Sequence, residues 1–530
     1  MHDCLQVQDI VDLIFTRVDQ DSPARIGKQD LLSLALTCRD FQETALDILW
    51  HTQTNLVQLI KTLPRRSWTE EPDSGFDRTF KLDSDSLSED DLARFFFYSR
   101  RIRQIRYLPY IWHLDAPYDF RALRALWKKR ANKTIPLFLN LQRVEFVDIR
   151  HASPCLDIFL ETKSISLSLY WSESDDDVWR LFDTIEEHAL NMQELDLGAL
   201  QVSTKTVICK HLSHLVLRMA DLRGLCCGSR NLSIPALQHL ASLPYLRTLQ
   251  TANTPSDILH SLQSMPSKSF FPELHKLDMA VDDFSSFVDL VHMLRPMQLQ
   301  DLTLHSAKTP SATQFHRAFT ALKQASKNQS NFLRIVVKYS WPNIRQSPPI
   351  LSDIIIDGST LEPLLSFKNL TVIDLDMPFK IELGDTQLMA MADSWPNLQR
   401  LHLGALSGWH LPLLITFRGF MYLLHKCRQL EYLAFAFNAS SDIPLLSEIP
   451  AACTNRNITY LFVGDSTVTE SSRSHVAEFL GHILPNLSGI GGAWLYNQSD
   501  TFPPRHREWE WVVNSMKKSS RPEYLSIQPH

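Results

Sequence analysis

The side chains best suited to chemistry are scattered rather than grouped. Twenty histidines occur among 530 residues, yet none stands in the H-E-x-x-H spacing that sets two imidazoles on one helix face around zinc. No Walker loop, G-x-S-x-G or kinase set occurs. Cys209-Lys210-His211 couples a thiol to a base that could lower its pKa. A nucleophile also needs an orienting third group and an oxyanion site, and neither accompanies it. Gly489, Gly491 and Gly492 lack a following Lys-Ser/Thr, so they read as a tight turn rather than a phosphate cradle. The eight cysteines, Cys226-Cys227 included, show neither C-x-x-C pairing nor histidines at zinc spacing, which fits thiols in a reducing compartment. The expectation is a chain that is not an enzyme, with no catalytic, metal or cofactor residues.

Charged residues recur more regularly, at the outward positions of a repeated L-x-x-L-x-L pattern whose last residues alternate as a buried strand. The pattern is read at Ile102-Ile105-Tyr107, Leu141-Val144-Phe146, Met192-Leu195-Leu197, Leu212-Leu215-Leu217, Leu274-Leu277-Met279 and Leu299-Leu302-Leu304. It continues at Phe332-Ile335-Val337, Leu370-Ile373-Leu375, Leu398-Leu401-Leu403, Leu430-Leu433-Phe435 and Ile458-Leu461-Val463, with weaker copies at Thr162, Leu246 and Leu487. Outward positions then supply acid at Glu194, Asp196, Asp278, Asp301, Asp374 and Asp376, and base at Arg218, Lys276, Arg334, Lys338 and Arg400. Strands about 4.8 Å apart would set Arg334 and Lys338 beside Asp374 and Asp376, neutralising one another. That pattern argues against a phosphate-reading pocket, which needs an uncompensated arginine cluster. The concave strand face is the expected ligand surface, with Lys276, Arg334, Lys338, Asp374, Asp376 and Arg400 as candidate substrate contacts.

The elements that carry these residues follow from length and periodicity. A chain of 530 residues exceeds one compact core, so it must grow by stacking or by adding domains. The gaps between copies hold helical stretches at 177–190, 285–294 and 311–326, which predicts an α/β solenoid of parallel strands with outer helices. Residues 61–94 are acidic and polar and read as a linker, 95–505 as the repeat solenoid, and 506–530 as a capping helix and tail with Trp509, Val512, Val513 and Met516 at helical spacing. Net charge of −6 gives no long-range attraction for nucleic acid. No secretory signal or membrane span is read, so a cytoplasmic or nuclear location is expected.

Before the linker, residues 1–60 read as three short helices. Val7, Ile10, Leu13, Ile14 and Val18 recur at helical spacing, and a polar loop at 19–30 breaks the pattern. Leu31, Leu34, Ala35 and Cys38 mark a second helix; Asp40 with Glu43 resembles a capping box that opens a third, lined by Phe41, Ala45, Leu49 and Trp50. So small a unit cannot enclose all these apolar groups, and some await a partner or the downstream domain.

ALTCRDFQETALDILW (35–50) resembles the core of fungal F-box proteins, particularly the large leucine-rich sets of mushroom-forming fungi. SEDDLARFFFYSRRIRQIRYL (88–108) and VAEFLGHILPNLSGI (476–490) resemble the opening and closing segments of their irregular leucine-rich repeats. The family usually begins its first helix with Leu-Pro, where this chain reads Leu5-Gln6. The resemblance implies a non-catalytic substrate receptor of an SCF-type cullin-RING ubiquitin ligase. It would bind a Skp-family adaptor, and through it cullin, by a three-helix F-box, and a target protein by its repeats. The implied adaptor contacts are Leu5, Ile10, Leu13, Ile14, Leu32, Leu36, Cys38, Phe41, Leu49 and Trp50. The alternative is a repeat scaffold that does not engage the ligase.

Overall fold

The computed structural model describes residues 7–21, 24–72, 78–83, 87–107, 120–130, 134–148, 155–163, 165–171, 175–198, 205–265, 270–294, 296–326, 328, 331–340, 353–405, 409, 412–493 and 505–519. They form two compact units, 1–246 and 247–530.

The first unit opens with helices α1 (Gln8–Asp21), α2 (Ala24–Thr37) and α3 (Arg39–His51). Val11, Phe15, Leu31, Ala35, Ala45 and Leu46 form their core, and Phe15 meets Phe41 edge-on at 5.3 Å. Two expectations are corrected here. The polar stretch 19–30 is largely helical, because Lys28, Gln29 and Asp30 form the wet face of α2. Polarity alone therefore did not mark a loop. Gly27 sits where α2 crosses α1, and a Cβ there would stand 2.9 Å from the Val18 carbonyl oxygen. Nor does Asp40 open α3: Cys38 is the N-cap and makes no side-chain cap bond.

Thr52–Gln53 pairs in parallel with Gln104–Tyr107. Within 61–94, read as linker, Trp68–Pro72 and Arg78–Leu82 form an antiparallel hairpin, and Ser88 with Asp91 makes a capping box at the head of helix Glu89–Ser99. Parallel strands Arg143–Asp148, Ile165–Trp171, Met192–Asp196 and Gly224–Cys226 follow in chain order. The repeat read at Leu212 is overturned. Lys205–Val216 is a helix whose Ile208, Leu212, Leu215 and Val216 are buried, since the L-x-x-L step serves one helical face equally well. The strand instead follows Leu222-x-x-Leu225-x-Cys227, all three buried. Arg218 thereby leaves the strand face and pairs with Glu186 at 2.6 Å.

Among the described residues of the second unit, nine strands of one sheet pair in parallel in the order Thr248–Thr251, Lys276–Val281, Asp301–Ser306, Arg334–Tyr339, Val372–Asp376, Arg400–Leu403, Tyr432–Ala434, Tyr460–Phe462 and Gly489–Gly491. Return helices such as Pro255–Gln263, Phe284–Met293, Ala312–Ala325 and Phe417–Lys426 start at Thr254, Asp283, Ser311 and Thr416, whose side chains accept first-turn amides. Burial alternates along Asp301–Ser306: Leu302 and Leu304 face the helices, while Asp301, Thr303 and His305 face outward. Helix Arg505–Ser519 packs on Arg473–Ile483. It buries Trp509, whose indole donates to the Ser466 carbonyl at 3.0 Å.

Candidate functional site

The three-helix module divides its apolar residues into two groups. Ile10, Leu13, Ile14, Leu32 and Leu36 lie exposed on α1 and α2, Leu13 at 62% and Leu36 at 79%. Cys38, Phe41, Leu49 and Trp50 are half-buried, and the last three pack against the module core with Phe97 and Tyr98. Leu5 lies outside the described residues. Of the ten positions expected to meet an adaptor, five thus stand outward on α1 and α2, and three, Phe41, Leu49 and Trp50, engage the chain itself. The Trp50 ring lies 4.7 Å from that of Tyr98. Beside it, the buried Arg101 donates to Glu43 at 2.6 Å and to Asp47. Glu43, expected in a capping box, therefore ties α3 to the first repeat.

The open strand face of the second unit carries the charged positions. Arg334 Nε pairs with Asp301 at 3.2 Å, not with Asp374 as the strand spacing predicted, because the register sets Arg334 across from Asp301 on one side and Val372 on the other. Lys338 stands opposite Asp376, but its Nζ reaches Asp374 at 3.4 Å. Lys276 is opposite Asp301 and exposed. Asp374 is the centre of the group. Its side chain is only 3% exposed, with Arg400 Nε also 3.4 Å away and His402 Nδ1 at 2.9 Å. Asp374 Oδ1 thus faces the ring nitrogen of an equally buried imidazole. Burial alone would raise the Asp374 pKa; the His402 contact and the charges of His402, Lys338 and Arg400 outweigh it and hold the carboxyl at about 2. Asp376 moves the other way, raised by burial and by the neighbouring Asp374 charge against the opposing pull of His402.

Sequence reasoning missed four residues here. His402 lies between the two aspartates. Tyr432, Phe462 and Tyr460 line the next two strands, with rings 6.2 Å (Tyr432 to Phe462) and 5.1 Å (Phe462 to Tyr460) apart. A signal existed. Arg400, Tyr432 and Tyr460 each take the third place of consecutive L-x-x-L-x-L copies, a place that is half-buried or exposed on all three of these strands.

Buried L-x-x-L-x-L strands in parallel register, returned by helices and open on the other side, define a leucine-rich-repeat fold, an architecture that presents a strand surface for binding. A scan against protein-family models finds no match, and neither does a comparison with curated proteins. Among solved structures the chain is similar to an internalin, InlF, from Listeria monocytogenes strain 4b F2365, at 14% identity over 67% of this chain and 75% of that one, with a TM-score of 0.27. It is also similar to TLR13 in a complex with ssRNA13, at 13% identity over 75% of this chain, with a TM-score of 0.32. It spans 61% of that TLR13 chain. No helix among the described residues is long and apolar enough to cross a membrane.

Proposed function

We propose that this chain is a non-catalytic substrate receptor of an SCF-type cullin-RING ubiquitin ligase, with α1 and α2 docking on a Skp-family adaptor and the strand face holding a protein target. The observation that carries the reading is the exposure of five large apolar side chains on two helices, Ile10, Leu13 and Ile14 of α1 and Leu32 and Leu36 of α2, outside the module's core of Val11, Phe15, Leu31, Ala35, Ala45 and Leu46. Several large apolar side chains left in solvent on one small module favour a protein contact. Such a receptor accelerates ubiquitin transfer by raising the effective concentration of target beside the charged conjugating enzyme, and requires no acid, base or nucleophile of its own. Neither nucleic acid nor membrane enters the reading.

The second reading, a repeat scaffold outside the ligase, is favoured by Leu5-Gln6 where the resembled family has Leu-Pro, since proline pre-organises a helix start. Calorimetry of the full chain with a fungal Skp-family adaptor separates the two. Tight binding that Leu13→Asp with Leu36→Asp abolishes, in a chain with unchanged circular dichroism, supports the receptor. No binding by the well-folded wild-type chain leaves the scaffold.

A further inference from the structure

Arg400 stands opposite Tyr432 in the parallel register, and Tyr460 follows on the next strand, opposite Gly489. The Arg400 guanidinium carbon lies over the Tyr432 ring, 3.7 Å from its centroid. Tyr460 is exposed, and its ring occupies the space beside Gly489, where a Cβ would stand 2.7 Å from it. Three adjacent strands therefore offer a guanidinium, two phenol rings and, with Phe462, a third ring, each beside the next.

The charges are layered. Asp374 lies beneath the surface, while the Lys338 and Arg400 side chains above it are 42% and 37% exposed. Arg400 directs Nε down to Asp374, and its two Nη groups make no hydrogen bond or ion pair among the described residues. Nε is anchored, the plane is held by a ring, and the outer edge is unoccupied, which pre-organises the fork that reads a carboxylate with two parallel hydrogen bonds.

We propose that this patch binds a protein segment carrying an aspartate or glutamate next to an apolar residue: the carboxylate takes the Nη edge of Arg400, and the apolar side chain packs on Tyr432, Phe462 and Tyr460. The inference rests on the strand face being the target surface and names the class of target; it does not depend on the adaptor. Single-stranded nucleic acid also combines arginine with stacked rings, but it needs a track of uncompensated cations. Arg334 is already paired with Asp301, Lys338 shares Asp374, and the chain carries −6 overall. One outward guanidinium matches one carboxylate.

The test displays a phage library of random dodecapeptides to the immobilised full chain, in parallel with Arg400→Gln, Tyr460→Ala and a control off the strand face, Lys210→Gln, exposed on helix Lys205–Val216. Clones with Asp or Glu beside an apolar residue are expected to be enriched on the wild type and on Lys210→Gln. A synthetic peptide of the leading sequence should bind about tenfold more weakly to Arg400→Gln and to Arg400→Lys, which keeps the charge and loses the fork. Failure to enrich such peptides, equal affinity for Arg400→Gln, or preferential binding of a twelve-nucleotide oligouridylate would each overturn the proposal. Adaptor calorimetry on the same preparations is independent, so a chain that binds adaptor but enriches no acidic peptide sinks this inference alone.

Discussion

Replacing Asp374 by Asn removes a charge while keeping the side chain's shape. In the folded chain the carboxyl is held at about 2, against about 3.9 for a solvated aspartate, a gap that corresponds to about 2–3 kcal/mol. The folded value lies below the unfolded one, so this stability is fully present above about pH 5 and is lost as pH falls through 4 towards 2. Little solvent reaches the 3%-exposed side chain to screen it. Removing it leaves His402 buried and two cations that solvent can still reach. Hydrogen exchange read by mass spectrometry on peptides spanning 372–376 and 400–403 reports opening of these strands without requiring the whole chain to unfold as one unit. At pH 7 the variant's amides should exchange roughly 30- to 150-fold faster than wild type, from about 2–3 kcal/mol. At pH 3 the difference should fall to about half that free energy. A difference that stays constant between pH 7 and pH 3 would show that the amide disturbs packing rather than charge, and no difference at all would refute the role assigned to the Lys338, Arg400 and His402 contacts.

Other perturbations are as direct. Leu36→Asp should shift thermal unfolding little, because the side chain is largely in solvent, with an expected change within about 0.5 kcal/mol; a large loss would mean that the residue is not where the fold puts it. Phe15→Ala empties the centre of the three-helix module and should cost about 3–5 kcal/mol, seen as selective loss of exchange protection in residues 8–51. Gly228→Ala should destabilise the first unit by more than about 1 kcal/mol, because φ is +58° and the added Cβ would stand 2.3 Å from the Gly198 carbonyl oxygen; differential scanning calorimetry reads this. Cys427, its thiol pushed up to about 12 by burial and by the Asp393 charge, should resist iodoacetamide at pH 8 until urea is added, and rapid native labelling would contradict that burial.

The sequence made the repeat legible wherever leucine, isoleucine or valine filled the buried places, as at Leu401 and Leu403. It failed where two periods share a step. Leu212 and Leu215 fit both an L-x-x-L strand and a helix, and the true copy hid because Cys227 took the sixth place of a pattern read for leucine. The 19–30 loop failed for a related reason, since a helix with one wet face looks polar over half its length. Side-chain reach was equally hidden. Strand spacing gave the neighbours of Asp374 but not that Arg334 turns back to Asp301 or that Lys338 crosses to Asp374 rather than Asp376. Of the candidate site, the charges were visible one at a time; the ring row beside Arg400 became visible only when equivalent places of successive copies were set side by side.

Within the first unit, the same contacts that withdraw Trp50 from solvent also fix the helical module to the repeats. Thr52 and Gln53, directly after α3, already pair with Gln104 and Ile105, which leaves no linker to act as a swivel. Arg101 then holds two α3 carboxylates, Glu43 and Asp47, from the turn that follows helix Glu89–Ser99. Both acids are well exposed, so the Coulomb gain is modest; the larger constraint is geometric, because the buried guanidinium spans two acids one helical turn apart while Trp50 and Tyr98 stack beside it. A hinge at His51 would have to break the strand pairing, the aromatic contact and both ion pairs together. Hence the three-helix module is held in fixed register with the strands at 104–107 and 143–148, and a partner that docked on it as proposed would be oriented, and not only tethered, by this half of the chain.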